Sequence, residues 1–172
     1  IILCIFLIEG VMAASLINFD WKRKPEFDLK ASGHEAADFF KKEHLKGPIF
    51  NNYDIGGYLI FYLAPQEGLF VDNRAEAFPP EFFKKMYIPM QANEDFWQAM
   101  QQYYQFKVIF FNRNDQTPWS RKFILRRLHD PAWSPVFVDE ALIILVRRIP
   151  EFADVIRRCE FKLEKVKPDK HV

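Results

Sequence analysis

The sequence predicts an α/β fold: a mixed, mostly parallel sheet of about five strands, with helices on both faces and a C-terminal antiparallel edge hairpin. Three observations lead there. Short β-rich runs alternate with helix-length stretches, the pattern of strands joined by covering helices. The apolar fraction is 49%, with 19 Phe, 6 Tyr and 4 Trp in 172 residues, enough large side chains to fill a core. The last two runs are separated only by Asp139 and Glu140, too few residues for a parallel crossover.

Taken in order, the chain opens on IILCIFLI, and residues 1–18 hold one acidic group, Glu9, before Trp21-Lys22-Arg23-Lys24. An apolar stretch with an aromatic and basic flank reads as the end of a truncated transmembrane helix that ties the protein to a membrane. The rival is the tail of a signal peptide cleaved near VMAAS, which would want a basic leading region that is not seen. Residues 19–31, mixed in charge and holding Pro25, read as a linker.

The soluble α/β domain is expected over 32–160. Ser32-Gly33-His34-Glu35 fits a capping box and predicts a helix over about 33–45, closed by Gly47. Strands are predicted in PIFNNY (48–53), GLFVDNR (68–74), FKVIFFNR (106–113), SPVFVDE (134–140) and ALIILVRR (141–148). Gly56-Gly57 suits a tight strand-to-helix turn into YLIFYLA. The Pro-bounded EFFKKMY lies next. In NEDFWQAMQQYY, Asn93 is a good N-cap and Glu94 and Asp95 favour the positive end of the helix dipole. In TPWSRKFILRRL, Thr117 caps and Pro118 takes the first helical position, while Trp119, Phe123 and Leu128 face inward. Arg121, Lys122, Arg126 and Arg127 read as a solvated face of that helix, with anionic lipid headgroups as the alternative contact. A last helix follows Pro150, and 161–172 form a polar tail.

Function is bounded mainly by exclusion. Lys and Arg number 24 against 23 Asp and Glu, so no broad positive field attracts nucleic acid. Cys4 and Cys159 sit at opposite ends, and His34, His44, His129 and His171 are isolated, so no metal-ligand spacing is present. No nucleotide loop or nucleophile elbow occurs, and no cofactor or catalytic residue is assigned. If the first three strands run parallel, the segments past their carboxyl ends meet on one rim, where open α/β folds place ligands. That rim collects Asn51, Asn52, Tyr53, Asp54, Gly56 and Gly57 from the first strand, Asp72, Asn73, Arg74 and Glu76 from the second, and Asn112, Arg113 and Asp115 from the third. Asn52, Asp54, Asp72, Arg74 and Glu76 are the candidate ligand-binding residues: carboxylate beside guanidinium, with amides nearby, suits a sugar or a lipid headgroup. The alternative is that Asp72 and Arg74 satisfy the loop backbone and one another. A free-standing hydrolase or transferase using Asp54, Asp72 and Glu76 would need two carboxylates with separated pKa values in one cleft.

The run from Ala36 to Phe83 carries A-x-D-F, F-N-N-Y-D, G-G-Y-L and V-D-N-R-x-E, and a Trp-containing helix and a W-x-x-V-x-x-D strand pair follow. Over about residues 33–148 this resembles the C-terminal soluble domain of polytopic bacterial membrane proteins related to C-type glycosyltransferases. The resemblance implies an extracytoplasmic domain at the cell membrane, hanging from the last transmembrane helix. It also implies an upstream membrane-embedded part that takes sugar from a polyprenyl-phosphate donor. The family's catalytic acid lies in an early loop between membrane helices, and no position here matches it. The expected role is therefore an accessory one, non-catalytic by itself, contacting sugar or a lipid-linked acceptor. A membrane-tethered binding or scaffolding module unrelated to sugar transfer is the alternative. Lys22-Arg23-Lys24 pulls the other way on sidedness, because positive flanks favour the cytoplasm.

Overall fold

The computed structural model describes residues 34–161. The apolar amino-terminal run, the linker, Ser32 of the capping box and the polar tail lie outside them. In chain order the elements are α1 (Glu35–Lys42), β1 (Ile49–Asn51), α2 (Gly56–Leu63), and then α3, which runs as Pro80–Phe82, a π-helical turn Phe83–Tyr87 and Ile88–Ala92. They continue with α4 (Glu94–Tyr104), β2 (Val108–Asn112), α5 (Pro118–His129), β3 (Trp133–Val138), β4 (Leu142–Arg147) and α6 (Ala153–Cys159). Single 3-10 turns at Tyr53–Ile55, Ala75–Ala77 and Pro150–Phe152 punctuate the loops.

The sheet has four strands in the order β1-β2-β4-β3. Only β1 and β2 run parallel; β2 with β4 and β4 with β3 are antiparallel. The expectation of about five strands, mostly parallel, is thus corrected to a four-stranded mixed sheet with one parallel pair. The missing strand is GLFVDNR, which makes one bridge, Leu69 to Ile49, and then leaves the ladder. The cause is Asn51. Its amide nitrogen donates to the Val71 carbonyl at 2.6 Å, and its amide oxygen accepts from the N–H groups of Phe70 and Val71 at 3.1 and 3.3 Å. A buried side chain therefore makes the bonds that a neighbouring backbone would have made.

The strands are buried on both faces, and alternate residues enter two separate cores. Val108, Phe110, Ile144 and Val146 pack with Phe40 of α1, Leu59 and Leu63 of α2, and Val155 of α6. Ile109, Phe111, Ile143 and Leu145 pack with Met90 of α3, Trp97 of α4 and Phe123 of α5. Phe50 anchors the second core: its ring centroid lies 5.0–5.6 Å from those of Phe70, Trp97, Phe106, Phe111 and Phe123.

Two helices depart from expectation. Helix α1 stops at Lys42, and the residue that turns the chain is His44, with φ 52°, rather than Gly47. Leu45 N–H bonds the Phe40 carbonyl and His44 N–H the Lys41 carbonyl, a Schellman closure in which histidine takes the left-handed place usual for glycine. On α5 the buried stripe is Ser120, Phe123, Ile124 and Arg127, so Arg127 is not on a solvated face. Its guanidinium is 2% exposed, pairs with Glu94 and with Asp130 at 2.8 Å, and stands 5.4 Å from the Trp97 ring centroid.

Candidate functional site

Beyond the carboxyl ends of β1 and β2 the chain gathers asparagine and aspartate, residues whose short side chains bond nearby backbone. Asn52 follows β1 and is fully buried. Its amide oxygen accepts from Asn112 N–H at 2.9 Å and its amide nitrogen donates to Asp115 at 3.2 Å, so it ties the ends of the two parallel strands together. Asp115 also accepts from Thr117 N–H at 2.8 Å, starting α5. Tyr87, reaching in from the π-helical turn of α3, accepts from Tyr53 N–H at 2.8 Å. Nothing in the sequence pattern marks Tyr87, because its contact depends on a fold-back across 34 residues.

Asp72 and Arg74 form a closed pair. Asp72 accepts from the Arg74 backbone N–H at 3.0 Å and Nε at 2.9 Å through one oxygen, and from the terminal guanidinium nitrogen at 2.7 Å through the other. The Asp72 side chain is 9% exposed and that of Arg74 62%. The guanidinium bonds hold the Asp72 carboxyl below the usual range against the opposing effect of desolvation. Reciprocally, Arg74 is raised by the Asp72 bonds and charge, with a smaller push from Glu76. The first-order geometry is that of mutual satisfaction plus an outward guanidinium edge.

Glycines set this loop against α2. A Cβ on Gly56 would fall 2.3 Å from the Asp72 Cα, and one on Gly57 3.1 Å from the Asn73 side-chain oxygen. Neither glycine has a positive φ, so close approach and not backbone freedom explains Gly56. Asp54, two residues earlier, is exposed, and its carboxyl is pushed upward by desolvation first and then by the Asp115 charge.

The structure thus joins Asn52 to Asp115 and Asn112, sets Asp54 within reach of the Asp115 charge, and locks Asp72 to Arg74 with Glu76 nearby. Arg113, also on the predicted rim, turns to the hairpin and donates to the Asp139 carbonyl at 2.6 Å. Separately, a groove of about 650 Å³ opens at the start of β1, lined by residues that include Glu67, Phe70, Phe82, Tyr104 and Phe106. These come from distant segments, and no local motif announces them. Among the described residues there is no cluster of three His, Cys, Asp or Glu side chains able to hold a metal ion, and no helix is long and apolar enough to cross a membrane. Comparison with known proteins finds no matching family model, no matching curated protein and no matching solved structure.

Proposed function

We propose that this domain is a non-catalytic accessory module of a membrane glycosyltransferase-like protein, and that its rim contacts a sugar or lipid-linked acceptor on the extracytoplasmic side. The observation that carries the reading is Arg74: a guanidinium fixed on one edge by Asp72 and open on the other, with exposed Glu76 close enough for its charge to be felt. A pre-oriented guanidinium loses little freedom on binding, and its free edge suits the phosphate of a lipid-linked sugar, while exposed carboxylates accept from hydroxyls. Asp54 and Glu76 supply the acceptors in this reading, and Asn52, being buried, holds the end of β1 that carries Asp54.

A second reading, a tethered scaffold with no sugar ligand, is favoured by one specific feature: Asn52 and Asp115 spend their polar atoms on one another and on backbone N–H groups, and Asp72 spends its oxygens on Arg74. The two readings separate on Arg74→Ala in the full chain, carried in nanodiscs and titrated with a polyprenyl-phosphate-linked sugar. The accessory reading expects binding to weaken about tenfold, roughly 1.4 kcal/mol, in protein that is still folded at the titration temperature, although losing the partner of Asp72 lowers the unfolding midpoint. Absence of binding by the parent chain, or equal binding by both, leaves the scaffold as the better account.

A further inference from the structure

Helix α2 breaks the usual rule that a surface helix carries polar residues on its solvent side. The stretch GGYLIFYLAP, residues 56–65, holds no charged side chain. Gly56, Leu59 and Leu63 form the buried stripe; Ile60 and Tyr62 are half-buried, and Phe61, Ala64 and Pro65 are exposed. Phe61 is 78% exposed, and with Tyr103 it is one of two large apolar side chains so open among the described residues. A lone exposed aromatic needs no explanation, but an uncharged helix with Phe at the centre of its outer stripe does.

Two further facts bear on what covers it. Helix α1 packs on α2, with the Tyr58 hydroxyl accepting from Ala37 N–H at 3.1 Å, and α1 brings Lys41 and Lys42 to the same corner. Both lysines are exposed, and the Lys41 ammonium stands 5.8 Å from the Tyr62 ring centroid. Apolar and aromatic groups bordered by lysine are the composition of a membrane-interface contact, where rings enter the headgroup level and ammonium groups meet lipid phosphate. Arg74, its charge paired with Asp72, adds an outward guanidinium edge at the other end of α2, since Asn73 lies against Gly57. Of the carboxylates bracketing the helix, Asp54 has a raised pKa, Asp72 is paired with Arg74, and Glu67 is turned back to accept from Gly47 N–H at 2.7 Å. The second fact is chain length. Sixteen residues, 19–34, separate the apolar run 1–18 from α1, and fully extended they span no more than about 55 Å, so a bilayer entered by that run is within the tether's reach of α1 and α2.

We propose that the outer face of α2 rests on the surface of an anionic lipid bilayer, with Phe61 and Ile60 entering the boundary between headgroups and acyl chains, and Lys41, Lys42 and Arg74 meeting lipid phosphates. This rests on the membrane attachment of the proposed function and names the surface involved. The test uses the full chain, with Cys4→Ala and Cys159→Ala, carrying one environment-sensitive fluorophore at Phe61→Cys or, as control, at Tyr103→Cys. Both versions are reconstituted in vesicles of phosphatidylcholine and phosphatidylglycerol at about seven to three. The expected result is that the label at 61 is quenched several-fold more by acyl-chain nitroxide lipids than by aqueous iodide, and that the label at 103 shows the reverse. In vesicles of phosphatidylcholine alone, the lipid quenching at 61 falls at least twofold. Iodide quenching at 61 equal to that at 103, in protein that floats with the vesicles, overturns the α2 contact while leaving the attachment standing. A label at 61 shielded from both quenchers overturns the lipid occupant in favour of a protein one. Protein that fails to float with the vesicles overturns the attachment itself.

Discussion

At the scale of single residues, asparagine does more here than any charged group. Asn51 is fully buried and its amide makes four hydrogen bonds, three of them to the segment Phe70–Val71. Deleting it strands backbone groups in a place water cannot easily reach, and each such group costs about 1–3 kcal/mol. We expect Asn51→Ala to lower stability by about 3–5 kcal/mol in urea unfolding, near the upper end for point substitutions. Asn51→Asp keeps the acceptor for the two N–H groups and loses the donor to Val71. It should restore part of the loss as the carboxyl becomes protonated at low pH. If Asn51→Ala costs less than 1 kcal/mol, the segment after Leu69 is held by its apolar contacts and the amide is not its clamp.

At the scale of elements, hydrophobic period and turn chemistry made the helices and the hairpin legible, and the failures have definite causes. Asn93 caps α4 as expected, its side chain accepting from Phe96 N–H at 2.9 Å. The hairpin closes through Asp139, which accepts from the N–H groups of Ala141 and Leu142. GLFVDNR has the composition of a strand, yet a partner side chain replaced a partner backbone, a substitution no single-segment propensity can register. Arg127 looked solvated because it is charged. The positions Ser120, Phe123, Ile124 and Arg127 follow the i, i+3, i+4, i+7 stripe, and that spacing, together with Glu94 one helix away, was the signal available. At the rim, Asp72 beside Arg74 was readable two residues apart, whereas Asn52 to Asp115 spans 63 residues and emerged only from the parallel pairing of β1 and β2. The sequence suggests a turn at Gly56-Gly57; both residues instead form the first two positions of α2, and they differ sharply in what a methyl group would meet. Gly57→Ala meets only the end of the Asn73 side chain and gains helix propensity, so its stability should change by less than about 1 kcal/mol in either direction. Gly56→Ala must displace the Asp72 backbone and should lose about 2 kcal/mol or more despite the same propensity gain. Parallel thermal melts of the two variants decide this, and equal midpoints would mean that α2 does not press on the Asp72 loop.

For the whole molecule, charge is nearly balanced in number, 24 basic against 23 acidic, so pH acts through particular carboxylates and not through net repulsion. Two populations oppose each other. Glu43 is lowered chiefly by its hydrogen bond from Arg158, Asp72 by Arg74, and Asp154 by Arg157 and Arg158. Burial raises Glu94, but bonds from Arg127 and Gln98 outweigh it and leave it lowered. For these groups the folded pKa lies below the unfolded one, so their stabilisation is present above about pH 4 and is lost as pH falls through the folded values. Asp54 and Asp139 are raised, each mainly by desolvation. Their contribution has the other sign: it is present below the unfolded pKa and lost as pH rises through the folded pKa. Asp139 also ties the hairpin turn, so Asp54 is the cleaner probe. Asp54→Asn removes a charge that folding disfavours, and its urea midpoint should exceed that of the parent at pH 7 and converge with it near pH 3, where the parent carboxyl is protonated as well. An equal difference at both pH values would trace the effect to shape or local bonding and free Asp54 of its electrostatic conflict with Asp115. Convergence would instead mark Asp54 as a carboxylate kept at a cost to folding, the position from which a bound hydroxyl or cation could most readily relieve it.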